Sequence, residues 1–343
     1  MSSVAVGDSA QAFNSSDVAV GQNSVAGVSG SGTVTGDMAL GFGAQATGGN
    51  SIAEGTSAVA NAAGAVAIGQ TATATGGQAV SIGVANTASG DGAVAIGDPN
   101  VATGTGAVAM GANNTANGQG AVSLGNANIA TGQGSVALGN TSTAAAAGAV
   151  AFGSGAIANN ANDVALGSGS VTAAPNPTAT GTIGGVTYNY AGTTPTSVVS
   201  VGAPGAERQI TNVAAGQVTA TSTDAINGSQ LFATNTAINS LSTSMSTALS
   251  GQQAQINSLG SQLQQTDQMA KQGIAAVGAM ASIPQLDRDA NFGMGIGTST
   301  FLGQKAMAVN MQARISENLK ASINGGFSGS QRVIGAGMLY QWK

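Results

Sequence analysis

The chain contains no cysteine and no histidine. The first absence removes disulfide staples and thiol chemistry. It suits a reducing compartment, and equally a chain that must cross a membrane unfolded, where a disulfide would block passage. The second removes the commonest general base, the commonest zinc ligand and the usual pH switch. Charged residues make up only 6% and aromatics 3% of the 343 residues. Neither an ordinary globular domain nor a charged disordered tract has that composition. Before Glu207 stand seven acids (Asp8, Asp17, Asp37, Glu54, Asp91, Asp98 and Asp163) and not one Lys or Arg. That excludes the basic footprint that nucleic acid requires. No apolar run reaches the ~20 residues of a membrane helix. Met1 leads directly into a repeat rather than into a signal peptide, so the expectation is a mature fragment or an N-terminally incomplete product.

What is present is glycine, 54 residues of it, far above the ~7% of ordinary proteins. Twelve of these close a "VAxG" unit: Gly7, Gly21, Gly41, Gly55, Gly69, Gly83, Gly97, Gly111, Gly125, Gly139, Gly153 and Gly167. From Gly41 onward each step is fourteen residues; Gly21 to Gly41 is twenty, which places a six-residue insertion around Val28 to Thr33. Three and one residues before each marker sit large aliphatics, such as Val66 and Ile68, Val94 and Ile96, Val136 and Leu138. Between them is Ala or Ser. This period of two gives a strand with two different faces. A second small column, Ala74 to Ala158, lies five residues after the markers and breaks only at Thr172.

The two small columns are half a repeat apart. In a fourteen-residue coil with two short strands they face each other across an interior too narrow for Leu or Val. The aliphatics then form an outward stripe, of which Val66, Ile68, Val94, Ile96, Val136 and Leu138 are representative. Such a stripe exceeds the apolar patch a soluble monomer tolerates, so other copies must cover it. Glycine or Asn about seven residues after each marker, as at Gly76 and Asn160, is expected to supply tight corners. Glu54 is the odd member of the aliphatic column. A calcium-binding roll needs an acid in every repeat, which these seven scattered acids do not provide.

After Gly167 the register stops, and residues 173–206 read as an insert holding four of the six prolines, with a short β-excursion carrying Tyr188 and Tyr190 on one face. Residues 207–231 read as a neck, with Ser222 or Thr223 as a helix N-cap and Asp224 in the first turn. Heptad spacing starts at Leu231 and runs through a stalk over 232–283: Leu231, Ile238, Leu241 and Met245, then Leu249, Ile256, Leu259, Leu263, Ala270, Val277 and Met280 in a register shifted by a stutter. The flanking positions are Ser, Thr, Gln and Asn, so charge does little to choose partners.

Beyond Pro284, over 284–343, the period returns to two in four segments of about ten residues, the length and alternation of outer-membrane strands. In the first, Gly293, Gly295 and Gly297 share one face, opposite Phe292, Met294 and Ile296. Tyr340 and Trp342 suit an interfacial girdle. Four strands cannot close a barrel, and open edges are forbidden in lipid. Three chains sharing one twelve-stranded barrel meet both demands, and the glycine face leaves lumen room for three helices.

The "AVAIG" repeats, the neck "RQITNVAAG…STDAINGSQL" and the four-strand C-terminus resemble the YadA-like trimeric autotransporter adhesins. The resemblance implies a mainly β homotrimer: a left-handed parallel β-roll head over 1–172, a neck, a trimeric coiled-coil stalk, and a shared barrel in a bacterial outer membrane. It implies an anchor that exports its own head by type V secretion, assembly by the barrel-assembly machinery, and a head that binds extracellular matrix or cells, with a role in virulence. Family heads that bind collagen do so through "NSVAIGxxS"-like turns; the nearest here, Ser2–Ala10 and Gly134–Ser142, lack the leading Asn. Family chains end on an aromatic residue, whereas here Lys343 follows Trp342. The contact residues for a receptor stay unassigned, and no catalytic residue, cofactor or metal is expected. The alternative reading is a structural or ice-binding solenoid, which requires a Thr column; Thr73, Thr75, Thr87, Thr103, Thr115 and Thr131 do not read as one column.

Overall fold

The computed structural model describes residues 2–342, so the expectations that rested on Met1 and Lys343 lie outside the described residues. The chain divides into two compact units, Met1–Asn227 and Gly228–Lys343.

The first unit is a parallel solenoid of two sheets, one of thirteen strands and one of eleven. Each coil gives one strand to each sheet. The register is the repeat itself: Val66 pairs with Val80, Val80 with Val94, and Ala74 with Ala88. The six-residue insertion loops out without disturbing it, since Val18 pairs with Met38 and Val25 with Gln45.

The interior holds four small columns rather than the two that face each other in the sequence reading. Besides the Ala67 and Ala74 columns, the residues four before and three after each marker are fully buried, as at Ala65 and Ala72. Fourteen residues spread over two short strands and two turns bring four side chains per coil inward, because the turn-flanking residues also point in. The widest residues admitted are Asn and Asp: Asn86, Asn100, Asn114, Asn128, Asp17, Asp37 and Asp163 are all buried. Buried Asn and Asp demand hydrogen-bond partners, and here the stacked repeat supplies them.

Glycine at the markers answers to two constraints. Gly97 has φ +123°, and a Cβ there would strike the carbonyl oxygen of Gly111 one coil on. The expected corner glycines behave differently. Gly76 is not in a left-handed conformation; it is glycine because a Cβ would strike the carbonyl of Gly90. The left-handed turn residues lie two and nine after the markers, for example Thr71 (φ 53°) and Gly92 (φ 66°).

The register does not stop at Gly167. Thr172 continues the interior column at 2% exposure. After an excursion whose hairpin pairs Thr180–Ile183 with Val186–Asn189, the chain returns, and Val199–Ser200 joins Val164–Leu166 as the last strand of the wide sheet. A parallel strand can be added after any length of excursion, since only its end must reach the open edge.

In the second unit, helix α1 runs Gly228–Ala281 without a break. It begins after the expected N-cap: Asp224 lies outside the helix, and its carboxylate accepts the Gln217 N–H at 3.0 Å. That carboxylate is thus bonded to the preceding backbone rather than to the first turn of the helix. Four antiparallel strands follow, Phe292–Phe301, Gln304–Ser316, Leu319–Ser328 and Gln331–Tyr340, paired in chain order.

Candidate functional site

Three surfaces carry the functional potential. The first is the outer face of the thirteen-stranded sheet. Val66, Ile68, Val94, Ile96, Val136 and Leu138 lie there, each half-buried by its stacked neighbours with its remaining surface outward. Met38, Met110, Phe152 and Leu166 continue it at 37–49% exposure. Glu54 interrupts it, in register between Leu40 and Ile68.

The second surface is the outer face of the eleven-stranded sheet, which the sequence reading missed. Its threonines form two ranks. Thr73, Thr87, Thr115 and Thr143 share one, with Val59, Val101, Ile129 and Ile157 in the same register. Thr75, Thr103 and Thr131 stand in the next, two residues on, alternating with Ser89 and Asn117. The six threonines thus do not hold one column, as expected; they divide between two ranks, which β-branched and small residues fill out. The signal was available in the fourteen-residue spacing of the β-branched set.

At the end of the solenoid Arg208, the first cation in the chain, closes the last coil. Its guanidinium donates to Ser170 Oγ at 2.8 Å and to the carbonyls of Val201 and Ser168. Asp163 is buried, which raises its pKa. Hydrogen bonds from Thr172, from the Val198 N–H, and from the side chain and N–H of Asn160 outweigh that and hold the carboxyl below its usual range. Toward the other end Asp37 Oδ1 accepts from Gly49 N, Ser51 N and Ser51 Oγ, while Oδ2 is buried without a partner.

The third surface is the four-stranded sheet. Its outer face is apolar: Met294, Ile296, Ile334 and Met338 are more than 70% exposed, and Tyr340 meets Trp342 edge to face at 5.5 Å. Its other face is small or polar and lies on α1. A Cβ at Gly293 would strike Leu286; at Gly295, Ile283; at Gly297, the Ala279 carbonyl. Ala275, Ala276 and Ala279 bury against Ala306 and Ala308. Polar side chains tie the chain between helix and sheet to the same face. Gln312 bonds Leu286 N at 2.7 Å and the Pro284 carbonyl at 3.0 Å, and Lys320 Nζ donates to the Leu286 carbonyl at 2.9 Å. Among the described residues, the outermost strands, Phe292–Phe301 and Gln331–Tyr340, each have one neighbour. No helix among the described residues is long and apolar enough to cross a membrane, which says nothing about strands. Among the described residues, no three His, Cys, Asp or Glu side chains converge as a metal site.

The chain matches three family models in order. Residues 2–24, 35–98 (in overlapping segments), 102–128 and 130–170 (in two overlapping segments) match the YadA head domain repeat; 209–254 match the coiled stalk of trimeric autotransporter adhesin; 284–342 match the YadA-like membrane anchor domain. Autotransporter adhesin BtaE of Brucella suis biovar 1 (strain 1330) is 60% identical over 60 residues, 18% of this chain and 8% of that protein. The chain therefore spans under a tenth of that curated relative. Among solved structures, the C-terminal YadA-like domain of BPSL2063 from Burkholderia pseudomallei is 56% identical over 32% of this chain and 54% of that one, with a TM-score of 0.31. The collagen-binding domain of the Yersinia adhesin YadA is 27% identical over 53% of this chain and 83% of that one, with a TM-score of 0.32.

Proposed function

The chain belongs to the YadA-like trimeric autotransporter adhesins, and from that premise we propose that it is a non-enzymatic adhesin of the bacterial outer membrane. Three copies share one twelve-stranded barrel, cover one another's aliphatic stripe, and hold their heads at the cell surface.

The observation that carries this reading is the four-stranded sheet with two open edges and one apolar face. Unpaired strand edges are not tolerated in the hydrocarbon core, and a spanning sheet must close. Neighbouring copies supply the missing strands. In that arrangement Gly293, Gly295 and Gly297 face the lumen, where their missing side chains make room for the α1 helices. Val66, Ile68, Val94, Ile96, Val136 and Leu138 belong to the shared stripe. The division into domains is a head to residue 172, an insert 173–206 whose Val199–Ser200 returns to the head's wide sheet, a neck 207–231 whose last residues enter α1, a stalk 232–283 and an anchor from 284. Outer-membrane lipid, the barrel-assembly machinery and an extracellular-matrix or cell-surface receptor are the partners. Three copies of the head multiply a weak contact by avidity.

The test is electrophoresis of detergent-extracted outer membranes with and without heating, followed by adhesion of the displaying cells to immobilised matrix proteins. A trimer that dissociates only on heating, with adhesion above that of cells lacking the chain, is the expected result. A soluble monomer would overturn the barrel and the stripe together.

A further inference from the structure

We propose that the outer face of the eleven-stranded sheet is an ice-binding surface whose ligand is the ordered water of an ice plane. This rests on the trimeric outer-membrane reading, in which the aliphatic face is covered and this face stays outward.

The first observation is the regularity of the inner rank. From Val59 to Ile157 all eight successive coils carry Val, Thr or Ile at the same position. These three residues share a branched Cβ with a stiff χ1, so each coil presents a methyl group in a fixed place. The second is the outer rank, from Asn61 to Asn159. Seven of its eight positions are Asn, Thr or Ser, and Ala145 is the exception. Its backbone is held in register as well: Thr75 N donates to Ala88 O at 2.9 Å, Ser89 N to Ala102 O at 2.9 Å and Thr103 N to Ala116 O at 3.0 Å.

The third observation is spacing. Stacked strands repeat every ~4.8 Å, and residues two apart along a strand are ~6.6 Å from one another. These two repeats lie close to those of a prism plane of hexagonal ice. The fourth is charge. Neither rank contains an acid or a base, and no Lys or Arg precedes residue 208. An ion would organise water around itself and break the array. Methyl groups let water form cages against them, and the short hydroxyl and amide side chains hydrogen-bond those cages in place. A protein receptor finds little here, because the ranks contain no aromatic residue or Arg to serve as an anchor. An anionic polymer finds no cation.

The experiment is ice-affinity partition of the unheated, detergent-extracted full chain into a slowly growing ice hemisphere. The wild type is compared with a Thr87→Lys, Thr115→Lys double variant and with a Gln119→Lys, Gln133→Lys control. The control carries the same charge change at exposed turns beyond the face. Enrichment of wild type and control in the ice, lost in the threonine variant, is the expected result. Exclusion of an intact wild-type trimer from ice overturns this inference and leaves the adhesin reading standing. Equal enrichment of all three also overturns it, since the contact would lie elsewhere. Cell clumping that depends on Thr87 and Thr115 without ice partition would assign the face to a second copy instead. Absence of any trimer from the outer membrane removes the underlying reading and this inference with it.

Discussion

Asn114 Nδ2 donates to Asn100 Oδ1 at 2.9 Å, one coil away, inside a solenoid lined mostly by Ala and Ser. The same contact joins Asn100 to Asn86 at 3.1 Å and Asn128 to Asn114 at 3.0 Å. Each amide nitrogen also lies within hydrogen-bonding distance of two carbonyls, so its two N–H groups are shared among these acceptors; for Asn100 they are Ile96 at 2.9 Å and Gly111 at 2.8 Å. Ser142 ends the ladder, its N–H and hydroxyl both reaching Asn128 Oδ1. A buried amide needs several partners, and the repeat provides them by stacking identical residues. The ladder therefore locks the register that the hydrophobic pattern alone would allow to slip.

Asn100→Ala breaks the ladder at its centre. It leaves the buried Asn114 N–H without the Asn100 Oδ1 that accepts it at 3.0 Å, at about 1–3 kcal/mol for an unsatisfied buried group. Hydrogen exchange of the displayed head should show faster exchange in the coils from Val80 to Ser123, with coils before Gly69 unchanged.

Ala95 and Ser81 occupy the same interior column, and Ser81 Oγ donates to the Asn86 carbonyl at 2.9 Å. Ala95→Ser should therefore be neutral, its hydroxyl reaching the equivalent carbonyl of Asn100. Ala95→Leu overfills a coil with no free volume, at about 1–3 kcal/mol or more. Thermal unfolding of the extracted trimer checks both, and the reverse order would refute the interior as described.

Asp163 anchors the returning strand through the Val198 N–H at 3.0 Å. Its folded pKa is depressed, so the stability it contributes is present above the unfolded carboxyl value. That stability is lost as pH falls through the folded value. Protection of the 198–201 amides should drop in acid for the wild type and stay flat for Asp163→Asn, the two converging at low pH.

Arg208→Ala removes the donors that close the final coil. Limited proteolysis should then cut within 173–206 well before wild type. Arg208→Lys should rescue only in part, because an ammonium lacks the planar fork that reaches three acceptors at once.

Gly297→Val puts a branched side chain where α1 passes, against the Ala279 carbonyl. The expected outcome is loss of the heat-dissociable trimer from outer membranes. Gly303→Ala, in a turn with open space around its Cβ, should retain it despite some backbone strain at φ +84°.

Much of this protein is written in one dimension. The fourteen-residue step fixes which residues stack, because a parallel coil pairs each residue with its own equivalent, as Val66 with Val80. Period two in the last sixty residues fixes which face of each strand is apolar, since side chains alternate along any strand. Tertiary structure decided what depends on closure. Only the closed coil shows that four columns point inward and that Asn86 to Asn128 meet end to end. Only the end of the coil shows that Val199 returns across the insert and that Arg208 seals it. Spacing along the chain determines neighbours within a stack, whereas which side of a turn faces in is set by how the backbone bends back on itself.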